Sequence, residues 1–352
     1  MKSKKPELTG VKEIARRANV SIGTVDRVIH NRSGVSEKTR EKVNAIIAEL
    51  DYQPNIFARR LASKKILKFV VLIPQSSETD YWDAPLEGIR QAEAEIKPYG
   101  IEINLCLYQL NSKRSFTQAV KSLSVPDIDG VLLAPIFTDE SMEFLKKLKQ
   151  HQIPCVFINS DLPDYEGLSY FGPDLFQSGY LAAHLMKYLV SRTESVLVVN
   201  ISHEIDNHHH LLRKEQGFRS YFQKYNISTP IFKVDIPDTD YLSIKKALLQ
   251  FFKENKVKAI FVTNSRVSSV ARFLKEIREN EILLVGFDYT KENLMHLYTD
   301  EIDFLICQKP REQGYKGIMA LYQHLVHAAR IEKVNFMPID IVTKENASSY
   351  LN

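Results

Sequence analysis

The densest run of side chains able to ligate a metal or move a proton is His203-Glu-Ile-Asp-Asn-His208-His209-His210. A zinc peptidase helix needs His-Glu-x-x-His, which sets two imidazoles on one face with the carboxylate between them. Here Asn207 stands at the second histidine's place. The run therefore reads as a loop entering the helix that carries Arg213, or as a loop from which one histidine reaches a bound molecule. Cys106, Cys155 and Cys307 lie far apart, each in or beside an apolar run. They form neither a CxxC metal pattern nor a disulfide framework, which suits buried thiols in a reducing compartment. The chain has no GxxxxGK[ST] phosphate loop, no GxSxG elbow, and no GxGxxG after its first apolar strand. Phosphoryl transfer, acyl transfer and hydride transfer thus find no support, and no spaced carboxylate or histidine pair stands out as acid and base.

Charge gives a second kind of chemistry. Residues 1–65 hold 15 Lys and Arg against 7 Asp and Glu, a net of +8, while the remainder of the 352 residues carries −4. A small basic head on a mildly acidic body suggests that the head meets a polyanion. The elements that must position it read as short helices. Val11, Ile14, Ala15 and Ala18 fall at helical spacing, Asn19-Val20 breaks the pattern, and Ser21 can cap a second helix through Ile29. Ser36 can cap a third, with Val43, Ile46, Ile47 and Leu50 on one face; Tyr52-Gln-Pro-Asn55 then interrupts, and 56–62 fit one or two more turns. The first two helices and their tight turn make a helix-turn-helix, with Ala15 and Ala18 allowing close approach over Val20, Val25 and Val28. The second helix then offers Ser21, Ile22, Gly23, Thr24 and Arg27 outward near its N-terminus, where base edges are read.

From Lys65 onward short apolar strands alternate with amphipathic helices, the pattern of parallel sheets with crossover helices. Strands are expected at 67–73, 101–107, 130–134, 154–159, 195–201, 231–235, 259–263, 282–287, 303–307 and 338–342. Helices are expected near 84–97, 113–123, 139–150, 174–190, 211–224, 240–255, 266–279 and 310–328. Ten strands exceed one comfortable sheet, so the body divides into two doubly wound α/β subdomains. No apolar run approaches the ~18 residues needed to span a bilayer. The charged start Met1-Lys-Ser-Lys-Lys-Pro leads into no apolar segment, so neither a membrane anchor nor a secretory signal is expected.

The segment Val11-Lys-Glu-Ile-Ala15-Arg-Arg-Ala18-Asn-Val20-Ser21-Ile-Gly-Thr24-Val25-Asp-Arg27-Val28-Ile-His-Asn31 resembles the headpiece of the LacI (lactose repressor) family. Val35-Ser36-Glu-Lys-Thr39-Arg40-Glu-Lys-Val43 resembles its third helix, and Leu50-Asp-Tyr52-Gln-Pro54-Asn55-Ile-Phe-Ala58-Arg59-Arg60-Leu61-Ala62 its hinge. The likeness covers nearly all of the first 63 residues and implies a DNA-binding headpiece over 1–50 and a hinge over 51–65. It adds Asn31, Asn55, Ala58, Arg59 and Leu61 to the DNA-contacting set. Leu61 takes the place of the leucine that wedges into the central minor groove, and Ala58 the small position where paired hinge helices meet. An apolar wedge unstacks a base step while Arg59, Arg60, Lys64 and Lys65 neutralise phosphate. The family usually has serine where this chain has Asp26. A carboxylate there should pair with a neighbouring arginine or accept from a cytosine amino group.

The body, 66–352, resembles more loosely the family's core and the type I periplasmic sugar-binding proteins. The likeness rests on Phe69-Val-Val-Leu-Ile-Pro74, Asp129-Gly130-Val-Leu-Leu-Ala-Pro135, Ile153-Pro154-Cys-Val-Phe-Ile-Asn159 and Val285-Gly286-Phe-Asp288. Ligands in such sheets bind beyond the strands' carboxyl ends, so two facing sheets make a cleft that closes on a small molecule. Tyr81 and the sole tryptophan, Trp82, follow the first strand and could stack on a sugar's apolar face. Asn159 ends the fourth strand, where sugar-binding relatives often have Asp-Arg. The resemblance also implies ligand roles for Arg213, Asn264, Asp288 and Gln308; a carboxylate at 288 can accept two hydroxyl hydrogen bonds.

These observations describe a bacterial cytoplasmic transcription regulator, nucleoid-associated when bound, that represses from a near-palindromic operator as a homodimer. Its operator affinity answers to a small-molecule effector, a sugar or sugar derivative, with no cofactor, metal or membrane. The expected subdomains are 66–165 with 308–330, and 166–307 with 331–352, crossing near 160–172, 288–308 and 329–336. Control by a partner protein, or a sugar-processing enzyme with a DNA-binding head, are the alternatives.

Overall fold

The computed structural model describes residues 10–29, 32–50, 52, 66–77, 79–162, 165–191, 193–203, 209–279 and 281–350. The chain divides into two compact units that part near Ser63. In the first unit, α1 (Val11–Ala18), α2 (Ile22–Ile29) and α3 (Glu37–Glu49) enclose Ile14, Ala15, Ala18, Val25, Val28 and Val43. Asn19 ends α1 in the left-handed conformation, φ 54°, which its short amide side chain tolerates. The Ser21 hydroxyl then accepts from the Thr24 amide at 3.1 Å, and Ser36 caps α3 by accepting from the Thr39 amide at 3.3 Å. Each cap satisfies an amide that the first helical turn leaves without a partner.

The second unit contains two six-stranded sheets. The first has the order β11-β5-β4-β3-β1-β2, formed by β1 (Leu67–Pro74), β2 (Ile101–Tyr108), β3 (Gly130–Leu133), β4 (Cys155–Ile158), β5 (Ser169–Gly172) and β11 (Val334–Phe336). Its helices are α4 (Asp83–Ile96), α5 (Lys113–Lys121), α6 (Thr138–Gln150) and α12 (Pro310–His327). The second has the order β12-β10-β9-β8-β6-β7, formed by β6 (Val196–Ile201), β7 (Ile231–Ile236), β8 (Ala259–Val262), β9 (Leu283–Phe287), β10 (Phe304–Cys307) and β12 (Asp340–Val342). It is flanked by α7 (Leu175–Lys187), α8 (His209–Lys224), α9 (Tyr241–Glu254), α10 (Val267–Ile277) and α11 (Lys291–Tyr298). Every described pairing is parallel except β10 with β12. The central strands are buried on both faces, as helices on both sides of a parallel sheet require.

Two strands and a helix depart from expectation. β5 and β11 add to the expected strands, and both belong to the first sheet, so 169–172 and 334–336 move out of the second subdomain. The chain therefore crosses between the sheets at 173–174, 308–309 and 337–339. These strands are short: β5 is Ser-Tyr-Phe-Gly and β11 Val-Asn-Phe, too brief for alternation to show. Helix α11 is likewise additional, filling the segment between the expected strands at 282–287 and 303–307. The Thr290 hydroxyl caps it by accepting from the Asn293 amide at 3.3 Å.

Helices α7 and α8 cross with their backbones almost touching. A Cβ on Gly179 would lie 1.8 Å from the Lys214 carbonyl oxygen, and one on Gly217 would lie 1.9 Å from that of Phe176. Only glycine fits at either position, and this contact fixes where α8 sits against the second sheet.

Candidate effector cleft and DNA-reading face

On the headpiece, Ser21, Ile22, Gly23 and Arg27 are exposed and Thr24 is half-buried. Ile22 is 50% exposed, so its aliphatic side chain stays on the face turned away from the core. The buried face of α2 is Val25 and Val28, so the opposite face is the one available to a groove. Asp26 meets Arg32 at 3.2 Å, one of the two partners its carboxylate called for. Glu13 accepts from Arg16 at 2.6 Å and from Arg17 at 2.9 Å, and these guanidinium groups hold its carboxyl down at about 2. Asn31, Asn55, Ala58, Arg59 and Leu61 lie outside the described residues.

In the second unit a cleft of about 600 Å³ of empty space, mouth included, opens at the carboxyl ends of both sheets. Tyr81, Trp82, Asn159, Asn264, Asp288 and Gln308 all line it. Thr79 starts the short 3-10 helix Asp80–Trp82 by accepting from the Tyr81 amide, which turns both aromatic rings inward. The rings meet edge to face with centroids 5.1 Å apart. Asn159 and Asp288 end β4 and β9 with φ of 69° and 66°, a left-handed turn that Asn and Asp enter more readily than other side chains. Asn159 donates to the Tyr81 hydroxyl at 2.7 Å, and Gln308 donates to Asp288 Oδ1 at 3.0 Å. Asn264 is held by donating to the Ile201 carbonyl at 2.7 Å.

Two buried amides that were not singled out in the sequence fasten these positions. Gln313 on α12 accepts from the Asn159 amide at 2.8 Å and donates to the Gln308 carbonyl at 2.7 Å. Asn293 on α11 donates to the carbonyls of Ser265, Phe287 and Asp288 at 2.9–3.0 Å, which secures the turn that aims Asp288. Across the mouth, Asn111 reaches Thr239 at 3.3 Å, and Asp80 accepts from the Lys291 amide at 2.9 Å. The two lips are therefore in contact.

Arg213 is not the basic group of this cleft. Its guanidinium bonds to Gln216 at 2.7 Å and sits over the Phe176 ring, while the next residue, Lys214, lines the cavity. One residue is 100° of helix rotation, enough to turn Arg213 off the cleft and Lys214 into it. Lys214 is 3% exposed, donates to the Thr263 carbonyl at 3.3 Å and lies 3.6 Å from the centroid of the Phe287 ring. Burial lowers its ammonium to about 8, against the attraction of Asp288. Burial likewise raises the Asp288 carboxyl to about 6, with Lys214 and the Gln308 amide opposing the rise. The cleft thus offers one cation, one carboxylate, two aromatic rings and several amides, a mixture of donors, acceptors and apolar faces. His210 also lines it. Of the histidine-rich run, 204–208 lie outside the described residues, and no described group of three or more His, Cys, Asp or Glu is arranged to hold a metal.

Comparison with known proteins decides the family. Residues 69–329 match the periplasmic binding protein domain, and 10–55 match the bacterial regulatory proteins of the lacI family. A solved structure from Bacteroides fragilis described as a LacI transcriptional regulator is 30% identical, with TM-score 0.74, over 81% of this chain and all of that one. The chain belongs to the LacI family. Among its relatives, the HTH-type transcriptional regulator DegA of Bacillus subtilis (strain 168) is 27% identical over 80% of this chain and 82% of its own. A glucose-galactose binding protein from Geobacillus stearothermophilus shares the fold of the second unit, with TM-score 0.70 and 20% identity over 80% of this chain and 99% of that one. The protein is a LacI-family DNA-binding transcriptional regulator with a periplasmic-binding-protein-like core. No described helix is long and apolar enough to cross a membrane.

Proposed function

We propose that this LacI-family regulator senses a sugar or sugar derivative in the cleft between its two sheets and passes the occupancy of that cleft to operator DNA. The observation that carries the reading is the lining itself. Asp288 can accept two hydroxyl hydrogen bonds, Lys214 and the amides of Asn159, Asn264 and Gln308 can donate, and Tyr81 and Trp82 supply apolar area for a ring's CH face. Tyr81 and Trp82 come from the first sheet, Lys214, Asn264 and Asp288 from the second, and Gln308 from a crossover between them. An occupant touching all of them stabilises the closed arrangement over any open one, and that difference in affinity is what moves the equilibrium. The fold it shares with the glucose-galactose binding protein supports the same class of occupant.

On the DNA side, Ser21, Ile22, Gly23, Thr24 and Arg27 read base edges with Asn31 as a further headpiece contact. The hinge positions Asn55, Ala58, Arg59 and Leu61 also meet the operator, Leu61 at its central minor groove. One headpiece reads half a site, so a homodimer on a near-palindrome follows. The regulator works in the bacterial cytoplasm, on the nucleoid when bound, and the cleft binds its occupant without transforming it. The test is a thermal-shift screen of pentoses, hexoses and their phosphates on the full chain, with each hit then added to an operator-binding assay. A sugar that raises the melting temperature and changes operator affinity supports the reading. A screen in which sugars do neither would overturn it.

A further inference from the structure

Strand β6 reads Val-Leu-Val-Val-Asn-Ile and is buried along its whole length, yet its fifth residue is an amide with no exposure at all. A buried amide is costly unless all its hydrogen bonds are made, and Asn200 makes three. Its Nδ2 donates to Asp235 Oδ1 at 2.7 Å, on the neighbouring strand β7, and to Glu215 Oε2 at 3.1 Å, on α8. Its Oδ1 accepts from the Thr263 hydroxyl at 2.7 Å, just past the end of β8 on the other side. The amide has only one workable orientation, because reversing it would face its oxygen against two carboxylates. Arg219 and Lys233, each 2.7 Å from its partner, neutralise Glu215 and Asp235 from the outer side.

This network converges on the cleft. Thr263 lends its hydroxyl to Asn200 and its carbonyl to the Lys214 ammonium, and Glu215 is the residue after Lys214 on α8. Both ends of Lys214, its backbone on the helix and its Nζ at the strand end, are thereby referred to one side chain near the carboxyl end of β6. We propose that Asn200 and Thr263 are positioning residues for effector recognition, fixing where Lys214 presents its ammonium to the cleft. The proposal rests on the reading that this cleft takes the effector, but the role of Asn200 toward Lys214 can be tested without one.

The experiment uses the full chain carrying 13C at lysine Cε, with the Lys214 resonance assigned by its loss in Lys214→Arg. In the unaltered protein that resonance should titrate below those of the exposed lysines, because burial disfavours the ammonium. Asn200→Leu keeps the approximate size of the side chain but removes the donors to Asp235 and Glu215 and the acceptor for Thr263, and should shift or broaden the Lys214 resonance. Thr263→Ser keeps the hydroxyl and should leave the midpoint in place, whereas Thr263→Val removes it and should shift or broaden the signal. A Lys214 signal unchanged in both Asn200→Leu and Thr263→Val overturns the proposal. In a second arm, D-glucose, D-galactose, D-ribose and L-arabinose are titrated while following the fluorescence of Trp82, the only tryptophan. Whichever of them binds should bind Asn200→Leu and Thr263→Val at least tenfold more weakly, with Thr263→Ser restoring the affinity and operator binding without sugar unchanged. Equal affinity in all variants would also overturn the proposal. Failure of all four sugars to bind counts against the sugar reading alone, and the lysine titration still decides the role of Asn200.

Discussion

Asp288 and Lys214 face the same cleft with proton affinities displaced in opposite directions, and both displacements come mainly from loss of water. If the effector needs the carboxylate as acceptor and the ammonium as donor, its affinity should be greatest between about pH 6 and about pH 8. Below the lower limit Asp288 takes a proton; above the upper one Lys214 loses one. The stability of the unliganded chain should respond with the opposite sign. A carboxyl whose folded value lies above its unfolded value destabilises the fold where it is ionised, so lowering the pH from about 7 towards 4 should recover that part of the stability. Calorimetric titration and thermal melts across this range, with Asp288→Asn as control, would check both directions. That variant should flatten the acid limb of the affinity profile and remove the recovery. Asp288→Ala should abolish the effector response while leaving operator affinity without effector nearly unchanged.

Among the elements, the crossing of α7 and α8 holds Lys214 in register through the close approach at Gly179 and Gly217. Gly179→Ala would drive a methyl into the Lys214 carbonyl, and the helices could relieve it only by separating. Overpacking of this kind costs about 1–3 kcal/mol. The displacement would act on α8 and should weaken the effector response more than operator binding, which denaturant melts and binding assays on the same variant would separate. In the headpiece, Ser36→Ala removes the acceptor for the Thr39 amide and should cost about 1 kcal/mol of headpiece stability. Amide hydrogen exchange in the first turn of α3 would report it.

At the scale of the whole molecule, the proposed function divides the work between the basic first unit and the acidic second one. Removal of residues 1–65 should leave a folded core that still responds to the effector but binds no operator. Persistent specific DNA binding by that core, in a gel-shift assay, would refute the division. For the intact chain, the logarithm of the operator association constant should fall linearly with the logarithm of salt concentration, by ~0.9 for each phosphate neutralised. Leu61→Ala should weaken operator binding far more than binding to random DNA, since only the specific complex bends DNA around a wedge. Equal losses on both would make Leu61 an ordinary linker residue.

Much of this was legible in the sequence because it depends on local rules. The headpiece helices follow from apolar spacing and from caps at Ser21 and Ser36. The alternation of strand and helix follows from period, and the carboxyl-end positions Asn159, Asn264, Asp288 and Gln308 follow from where strands stop. What the sequence left open depends on relations between distant segments. β5 and β11 are too short to carry a period of their own, and they are strands because neighbours in the first sheet complete their hydrogen bonds. Lys214 and Arg213 are equivalent as letters in a row. Only the rotation of α8, set by two glycines against α7, turns one into the cleft and the other onto Phe176. Gln313 and Asn293 are unremarkable helix residues until the fold brings them under strand ends whose backbone groups need partners. Asn200 is an oddity in an apolar run, and its three partners come from two neighbouring strand ends and a helix, up to 63 residues away. Composition and periodicity are additive along a chain, whereas the orientation of a buried polar group is decided by every neighbour at once.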